Sequence, residues 1–402
     1  MFYKLLAGVK VIEYGNQISG PYCAKIFADL GADVIKIEEP GHGDDSRRLG
    51  PFPKDVRDPE DSGLYLYLNM NKRGITLDPG SKTGKAIFAE LMRSCDVLIE
   101  NNSPGRMAEL GIDYPRLKAI KPNIVMTSIT PFGQSGPYRD FKGCELLSAH
   151  MGGVGYASLR EQRVSDEPIK LPAHLLSFQA GLSAAVATSA ATYRQMLTGA
   201  GHFIDVSEQE CAMQNLFNVF LYYQYGKQIP SRTDRWSKAP FHILRCKDGY
   251  VVHAFVQEYQ WRRFVEVMGN PDWAESELFK DYPTRGLYWD ALKPLLEDWT
   301  MQHTMEEIYR KSQVNGAPIG AVYTAKEILN DRQLLARGFF VEVARRARDS
   351  LKYPGVPYRF SGASREQPSA APLLGQHNED VYCGQLGYTR AELEKLRAAR
   401  IV

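Results

Sequence analysis

Residues 171–181 read LPAHLLSFQAG and lead into a run of small residues, GLSAAVATSAATY. His174 and Ser177 lie three apart and are the residue types of an activated hydroxyl nucleophile. The same segment is bare of carboxylates, with no Asp or Glu between Glu167 and Asp205. Pro172 stands just ahead of the pair, where helix need not yet have formed, and no G-x-S-x-G elbow surrounds Ser177. The plainer reading makes Ser177 a small polar cap on a helix starting near Phe178. His150, His174 and His202 have no partners at metal-ligand spacing, so no metal site is expected. Basic residues recur near strand-like ends: Lys36, Arg47, Arg48, Lys72, Arg73 and Arg106. The strand ends of an open sheet are where ligands bind, and these cations suit an anionic one.

The elements that must position these groups are legible from periodicity. GVKVIEY (8–14), a helical ISGPYCAKIFADLG ending at Gly31, and ADVIKIEEP (32–40) give β–α–β within some forty residues, which favours a right-handed crossover and a parallel sheet. GITLDP (74–79), a helical stretch over 80–95, DVLIEN (96–101) and NIVMTSITPF (123–132) continue it. The first 135 residues therefore read as an open α/β unit. Residues 175–225 read as helical, with a strand-like HFIDVS at 202–207, and CKDGYVVHAFV (246–256) reads as two strand arms about a Lys-Asp-Gly turn. Beyond residue 330 the pattern is irregular until TRAELEKLRAARIV, where Thr389 and Glu392 form a capping box. GHGDD (41–45) follows a strand, but without GxGxxG it does not support a dinucleotide site.

Composition narrows the class. The chain has 402 residues, 44% hydrophobic and 24% charged, with a formal net charge of +2. Such a balance gives no strong field for nucleic acid or an anionic membrane, and no apolar run approaches a spanning length. The N-terminus runs directly into a strand pattern with no small-residue cleavage site, so no signal peptide is expected. Six cysteines, none in a CxxC pair, point to reduced and mostly buried thiols in a cytoplasmic protein, with neither a zinc site nor a redox dithiol.

Several phrases, in order, resemble the class III CoA-transferase family, which includes formyl-CoA transferase, carnitine CoA-transferase and the α-methylacyl-CoA racemases. They include GVKVIEYGNQISGPYCAKIFADLGADVIKIEEPGHGDDSR, NMNKRGITLDP, CDVLIENNSPGRMAELGIDY, PNIVMTSITPFGQSGPY, TGAGHFIDVSEQE, GAPIGAVYTAKEILNDRQLLARGFF and APLLGQHNEDVYCGQLGY. The resemblance implies an α/β fold: a Rossmann-like large domain built from both chain ends, a smaller α+β domain, and two subunits interlocked like chain links. The expected division is 1–225, 226–328 and 329–402, the last returning to the large domain. The resemblance also implies coenzyme A and acyl-CoA as substrates with a small carboxylic acid, and no permanently bound cofactor. It places CoA near Gln17, Ile18, Arg47, Lys72, Arg73, Asn101, Asn102 and Arg106.

Family chemistry turns on an Asp four residues before the Gly that opens the long helix. Here those positions are Ser177 and Gly181, and Gly181 keeps an eighteen-residue spacing to Gly199. A carboxylate can hold CoA as an enzyme thioester because it has a carbonyl carbon; a serine has none, so the reaction type is lost at this position. Asp166 and Glu167 are the nearest upstream acids, but Pro168 and Pro172 intervene. The racemase branch pairs the Asp with a His, and that phrase is here Gly143-Cys144-Glu145, so racemase chemistry is rejected. Glu109 stands where the family commonly has an Arg near the CoA phosphates. The leading expectation is a non-catalytic subunit of a heteromeric CoA-transferase, with a homologous Asp-bearing subunit supplying the nucleophile, as in succinyl-CoA:benzylsuccinate CoA-transferase. The alternatives are an independent homodimeric enzyme with another nucleophile, and an acyl-CoA-binding protein without turnover.

Overall fold

Six short segments form the central strands, most of them with side chains buried on both faces. They are β1 (Lys10–Tyr14), β2 (Asp33–Glu38), β3 (Arg73–Thr76), β4 (Val97–Glu100), β5 (Val125–Thr130) and β6 (His202–Ser207). Burial is complete in β4 and β5 and weakest in β6. Continuous burial is what a parallel sheet covered by helices demands. The computed structural model, which describes residues 3–157, 167–168, 171–229, 241–345 and 348–402, pairs them all in parallel in the order β3-β2-β1-β4-β5-β6. This is the doubly wound dinucleotide-fold order, whose strand sequence reverses between β1 and β4.

Alternation along each strand divides the core in two. Ile12, Ile35, Ile37 and Leu98 face one side, packing on Ile87, Phe88 and Leu91 and on the C-terminal Val381, Tyr382, Leu393 and Leu396. Val11, Val34, Val97 and Ile99 face the other, packing on Cys23, Ala24 and Phe27 and on Ala180, Ala184 and Ala185. Five helices position the site: α1 (Ser19–Asp29), α2 (Lys82–Arg93), α3 (Glu145–Met151), α4 (Leu175–Thr198) and α5 (Glu208–Gln214).

Helix α4 is the crossover that leads to β6. Its buried residues include Ser177, Gly181, Ala184, Thr188, Thr192 and Gln195, one stripe at helical spacing. Gly181 is required for its approach to α1: a Cβ built there would stand 2.7 Å from the Ser19 carbonyl oxygen and 3.2 Å from Tyr22 Cβ. Because the nearest obstacle is backbone, Gly181→Ala is expected to cost about 1–3 kcal/mol of stability. A urea unfolding midpoint unchanged from wild type would contradict this.

The chain divides into two compact units: Met1–Ser158, Pro168–Tyr225 and Gly338–Val402 in one, Leu159–Glu167 and Gly226–Arg337 in the other. In the first, the C-terminal segment closes the sheet edge at β3. Asn378 Oδ1 accepts from the Thr76 N–H at 2.9 Å, the His377 N–H donates to the Gly74 carbonyl at 2.9 Å, and the Tyr382 hydroxyl donates to the Thr76 carbonyl at 2.6 Å. An exposed edge strand is thereby paired rather than left open. The Thr389–Glu392 capping box forms as its sequence requires.

In the second unit, β7 (Phe241–Cys246), β8 (Gly249–Ala254) and β9 (Ile319–Ala321) form an antiparallel sheet, with Lys247 and Asp248 as the turn of the first hairpin. Its core is Leu244, Phe264, Trp289, Leu296 and Ile308. The region beyond 330, irregular by sequence, contains a hairpin of β10 (Phe340–Arg345) and β11 (Arg348–Pro354) in the first unit. Charged residues in both arms mask its alternation, and only a small cluster of Val341, Val343, Tyr353 and Met70 is buried beneath it.

Candidate functional site

The strand reversal leaves a crevice beyond the carboxyl ends of β1 and β4, the place where open α/β sheets bind ligands. A cavity of about 680 Å³ lies there. Gln17, Ile18, Asn101, Asn102, Cys144, Glu145, Ser177 and Glu208 are among the residues lining it. Its volume is that of a small-molecule site.

The loop after β1 is fixed from both sides. Asn101 Oδ1 accepts from the Asn16 N–H at 2.7 Å, and its Nδ2 donates to the Asn16 carbonyl at 2.8 Å and to the Ser19 hydroxyl at 3.1 Å. Asn102 Nδ2 reaches the Tyr14 carbonyl at 3.0 Å. Gln17 has a left-handed backbone, φ 61°, and its N–H donates to Asp44 Oδ1 at 3.0 Å.

Asp44 belongs to a buried ion network. Lys36 Nζ lies 2.7 Å from Glu13 Oε1 and 2.6 Å from Asp44 Oδ2, and Lys72 Nζ lies 2.7 Å from Glu13 Oε2; all four side chains are fully buried or nearly so. Burial works to lower the Lys36 pKa, but Asp44 and Glu13 more than reverse it and hold Lys36 above its ordinary value. Lys72 is pushed down to about 8, chiefly by burial, against the pull of Glu13.

Three of the residues expected to contact CoA are committed to partners within the chain. Arg47, 1% exposed, spends its guanidinium on Glu38 at 2.7 and 2.9 Å, Glu60 at 2.9 Å and the Tyr65 hydroxyl. Lys72 is tied to Glu13, Asn69 Oδ1 and the Pro21 carbonyl. Arg73 holds Asp33 with two hydrogen bonds, at 2.9 and 2.6 Å. None of the three lines the cavity. Sequence reasoning sees cations near strand ends but not the carboxylates that neutralise them. Arg106 is exposed and pairs at 3.3 Å with Glu109, the residue standing where a cation was expected. Gln17, Ile18, Asn101 and Asn102 do come together, although the Asn101 amide is already committed to the fold.

Ser177 is 9% exposed and sits within the first turn of α4, which starts at Leu175 rather than near Phe178; it is therefore not the helix cap. Ala173 and His174 precede it with φ of 56° and 58°, two successive non-glycine residues in the left-handed region. Such residues cost of order 1–3 kcal/mol each unless their surroundings hold them. Glu145 supplies the hold: its Oε2 lies 2.9 Å from His174 Nδ1, and its Oε1 accepts from the Leu176 N–H at 3.1 Å. His174 thus faces Glu145, and no contact makes it a base for Ser177. Asp166 lies outside the described residues, and Glu167 is exposed and belongs to the other unit.

Glu208 is the acid that sequence reasoning passes over. It follows the last residue of β6, is 8% exposed and lines the cavity with Ser177. Burial raises its pKa and the nearby charge of Glu145 adds to this, while the hydroxyls of Ser19 and Ser148 favour its ionised form. The only signal in the sequence is an acid placed directly after a strand-like HFIDVS. Among the described residues no group of His, Cys, Asp and Glu is arranged to hold a metal ion, and no helix is long and apolar enough to cross a membrane.

A parallel doubly wound sheet with a cavity at its switch point makes this an α/β protein with a candidate ligand site. The family follows from comparison. Residues 6–378 match the family model described as CoA-transferase family III, and the chain belongs to that family. It is 33% identical to formyl-CoA:oxalate CoA-transferase of Streptomyces coelicolor over the whole of both chains. It is 30% identical to succinyl-CoA–D-citramalate CoA-transferase of Chloroflexus aurantiacus over 99% of this chain and 98% of that one. A crystal structure of a CAIB/BAIF family protein from Brucella suis superposes with a TM-score of 0.84 at 29% identity, covering 95% of this chain and 99% of that one.

Proposed function

We propose that this protein moves CoA from an acyl-CoA donor to a small carboxylic acid through an enzyme-bound CoA thioester. The observation that carries the reading is the cavity at the β1/β4 reversal of a family III chain, enclosing position 177 together with Gln17, Ile18, Asn101 and Asn102. CoA is a substrate here and no resident cofactor is required. Succinyl-CoA is the donor we assign; the Chloroflexus relative carries it in its name, and the Streptomyces relative carries formyl-CoA. Ser177 contributes pocket surface and no covalent chemistry.

A second reading is favoured by Ser177 itself. In it this chain is the non-catalytic member of a heteromer, and a homologous Asp-bearing subunit carries the CoA. An interlocked pair suits this reading, since each subunit would then shape the other's surroundings. Support for a pair comes from α4, whose outward residues Leu182, Val186, Tyr193 and Leu197 form one exposed apolar row at helical spacing.

Native mass spectrometry of the complex from its source cells, followed by CoA transfer from succinyl-CoA or formyl-CoA to a panel of acids, tests both. Two different masses of similar size with transfer supports the heteromer. Multiples of this chain alone with transfer supports a self-sufficient enzyme. Absence of CoA binding and of transfer in either assembly overturns the transferase reading.

A further inference from the structure

We infer that Glu208 is the carboxylate on which this chain carries CoA, taking over the covalent role that Ser177 cannot fill. The inference rests on the transferase reading above. Three observations lead to it. The family's catalytic position and Glu208 line one cavity, so a carboxylate is present in the site although it is absent from α4. Glu208 is buried, 8% exposed, where β6 hands over to α5, and the hydroxyls of Ser19 and Ser148 favour its ionised form. Glu145, which also lines the cavity, is already occupied: both its oxygens hold the entry to α4.

The chemistry balances without any added reagent. The Glu208 carboxylate attacks the thioester carbon of the acyl-CoA; a C–O bond forms, the C–S bond breaks, and CoA leaves as thiolate. The thiolate attacks the glutamyl carbonyl carbon of the resulting mixed anhydride. The bond between the glutamyl carbon and the bridging oxygen breaks, the donor acid leaves as a carboxylate carrying that oxygen, and CoA remains as a γ-glutamyl thioester. An acceptor carboxylate attacks that thioester carbon, expelling the thiolate and forming a second anhydride. The thiolate then attacks the acceptor's acyl carbon, releasing the new acyl-CoA and the free Glu208 carboxylate. No proton or electron is gained or lost overall.

Burial gives this group a further property. Its pKa is raised above the ordinary 4.5, so the ionised nucleophile is lost at a higher pH than for an exposed glutamate, and adduct formation should fall with an acid limb above 4.5.

The test uses the full-length protein, as purified with whatever subunit accompanies it. It is incubated with succinyl-CoA, formyl-CoA or acetyl-CoA, quenched, and read by intact mass and peptide mapping. The expected result is a gain of one CoA less one water on the peptide containing Glu208, cleaved by hydroxylamine. Glu208→Gln is expected to slow adduct formation on the order of 10⁶-fold, as loss of a covalent nucleophile does. Its CoA affinity, measured by calorimetry, should stay near wild type. Mapping on the wild-type chain needs no variant, so misfolding of Glu208→Gln would not shield the inference. An adduct on an Asp of a second subunit overturns the inference and leaves the transferase reading standing. An adduct elsewhere in this chain, or none with any of the three thioesters despite CoA binding, overturns it as well. No CoA binding at all overturns both.

Discussion

Replacing Lys36 by Met is expected to lower folding stability by about 3–5 kcal/mol, the cost of leaving buried charges without their partner. The Lys36 ammonium lies within 2.7 Å of both Glu13 and Asp44, and also reaches the Gly15 carbonyl at 3.2 Å. Removing it leaves Glu13 with Lys72 alone and takes from Asp44 its ion-pair partner. Two carboxylates would then face the interior with one ammonium between them, and that ammonium, Lys72, is itself pushed down to about 8 by burial. The loss would reach the site. Asp44 Oδ1 accepts from the N–H groups of Gln17 and Ser46, and Gln17 is held in a left-handed conformation at the cavity wall. CoA affinity is therefore expected to weaken along with stability. Urea unfolding of the first unit, read beside CoA binding by calorimetry, measures both. A loss below about 1 kcal/mol, the value of an exposed pair, would mean that water reaches the network.

The second large effect is a gain. In a Glu208→Gln background, Ser177→Asp is expected to restore adduct formation to within about 10²-fold of wild type, the shortfall allowing for imperfect placement. The background matters. Introduced alone, a carboxylate at position 177 would share the cavity with Glu145 and Glu208, and like charges at close quarters suppress one another's ionisation. With Glu208 neutralised, the introduced carboxylate faces one charge fewer. It would also project from a rigid first turn, since Glu145 holds Leu176 and His174 on either side of that turn's start. Peptide mapping should then move the CoA adduct from the peptide of residue 208 to that of residue 177. A folded double variant that binds CoA and forms no adduct would mean that position 177 no longer addresses the thioester.

Residues differ sharply in how far sequence and structure reveal their significance. Ser177 is conspicuous in the sequence because a known spacing of glycines, Gly181 and Gly199, frames it. Glu208 is not, because an acid after a strand is commonplace on a protein surface and nothing local says that α3 and α1 will bury it. The basic residues show the opposite case. Arg47 and Lys72 look like phosphate ligands in the linear chain, yet each is neutralised by carboxylates from elsewhere in it. Glu38 and Glu60 lie 9 and 13 residues from Arg47, and Glu13 lies 59 residues from Lys72.

The sequence by itself determined the parallel sheet. Apolar runs such as VIKIE and VMTSIT, spaced by helical segments, can bury both faces only between two helix layers, and short βαβ crossovers leave one hand for them. It also determined that position 177 lacks the carbon needed to carry CoA. Two features were invisible to it. The hairpin over 340–354 draws little stabilisation from its own alternation and forms against a distant Met70. The composition of the candidate cavity was decided by the tertiary structure alone, because side chains from the ends of β1, β4 and β6 and from α3 and α4 meet there. Contacts between residues so far apart in the chain are set by packing, for which local pattern carries no code.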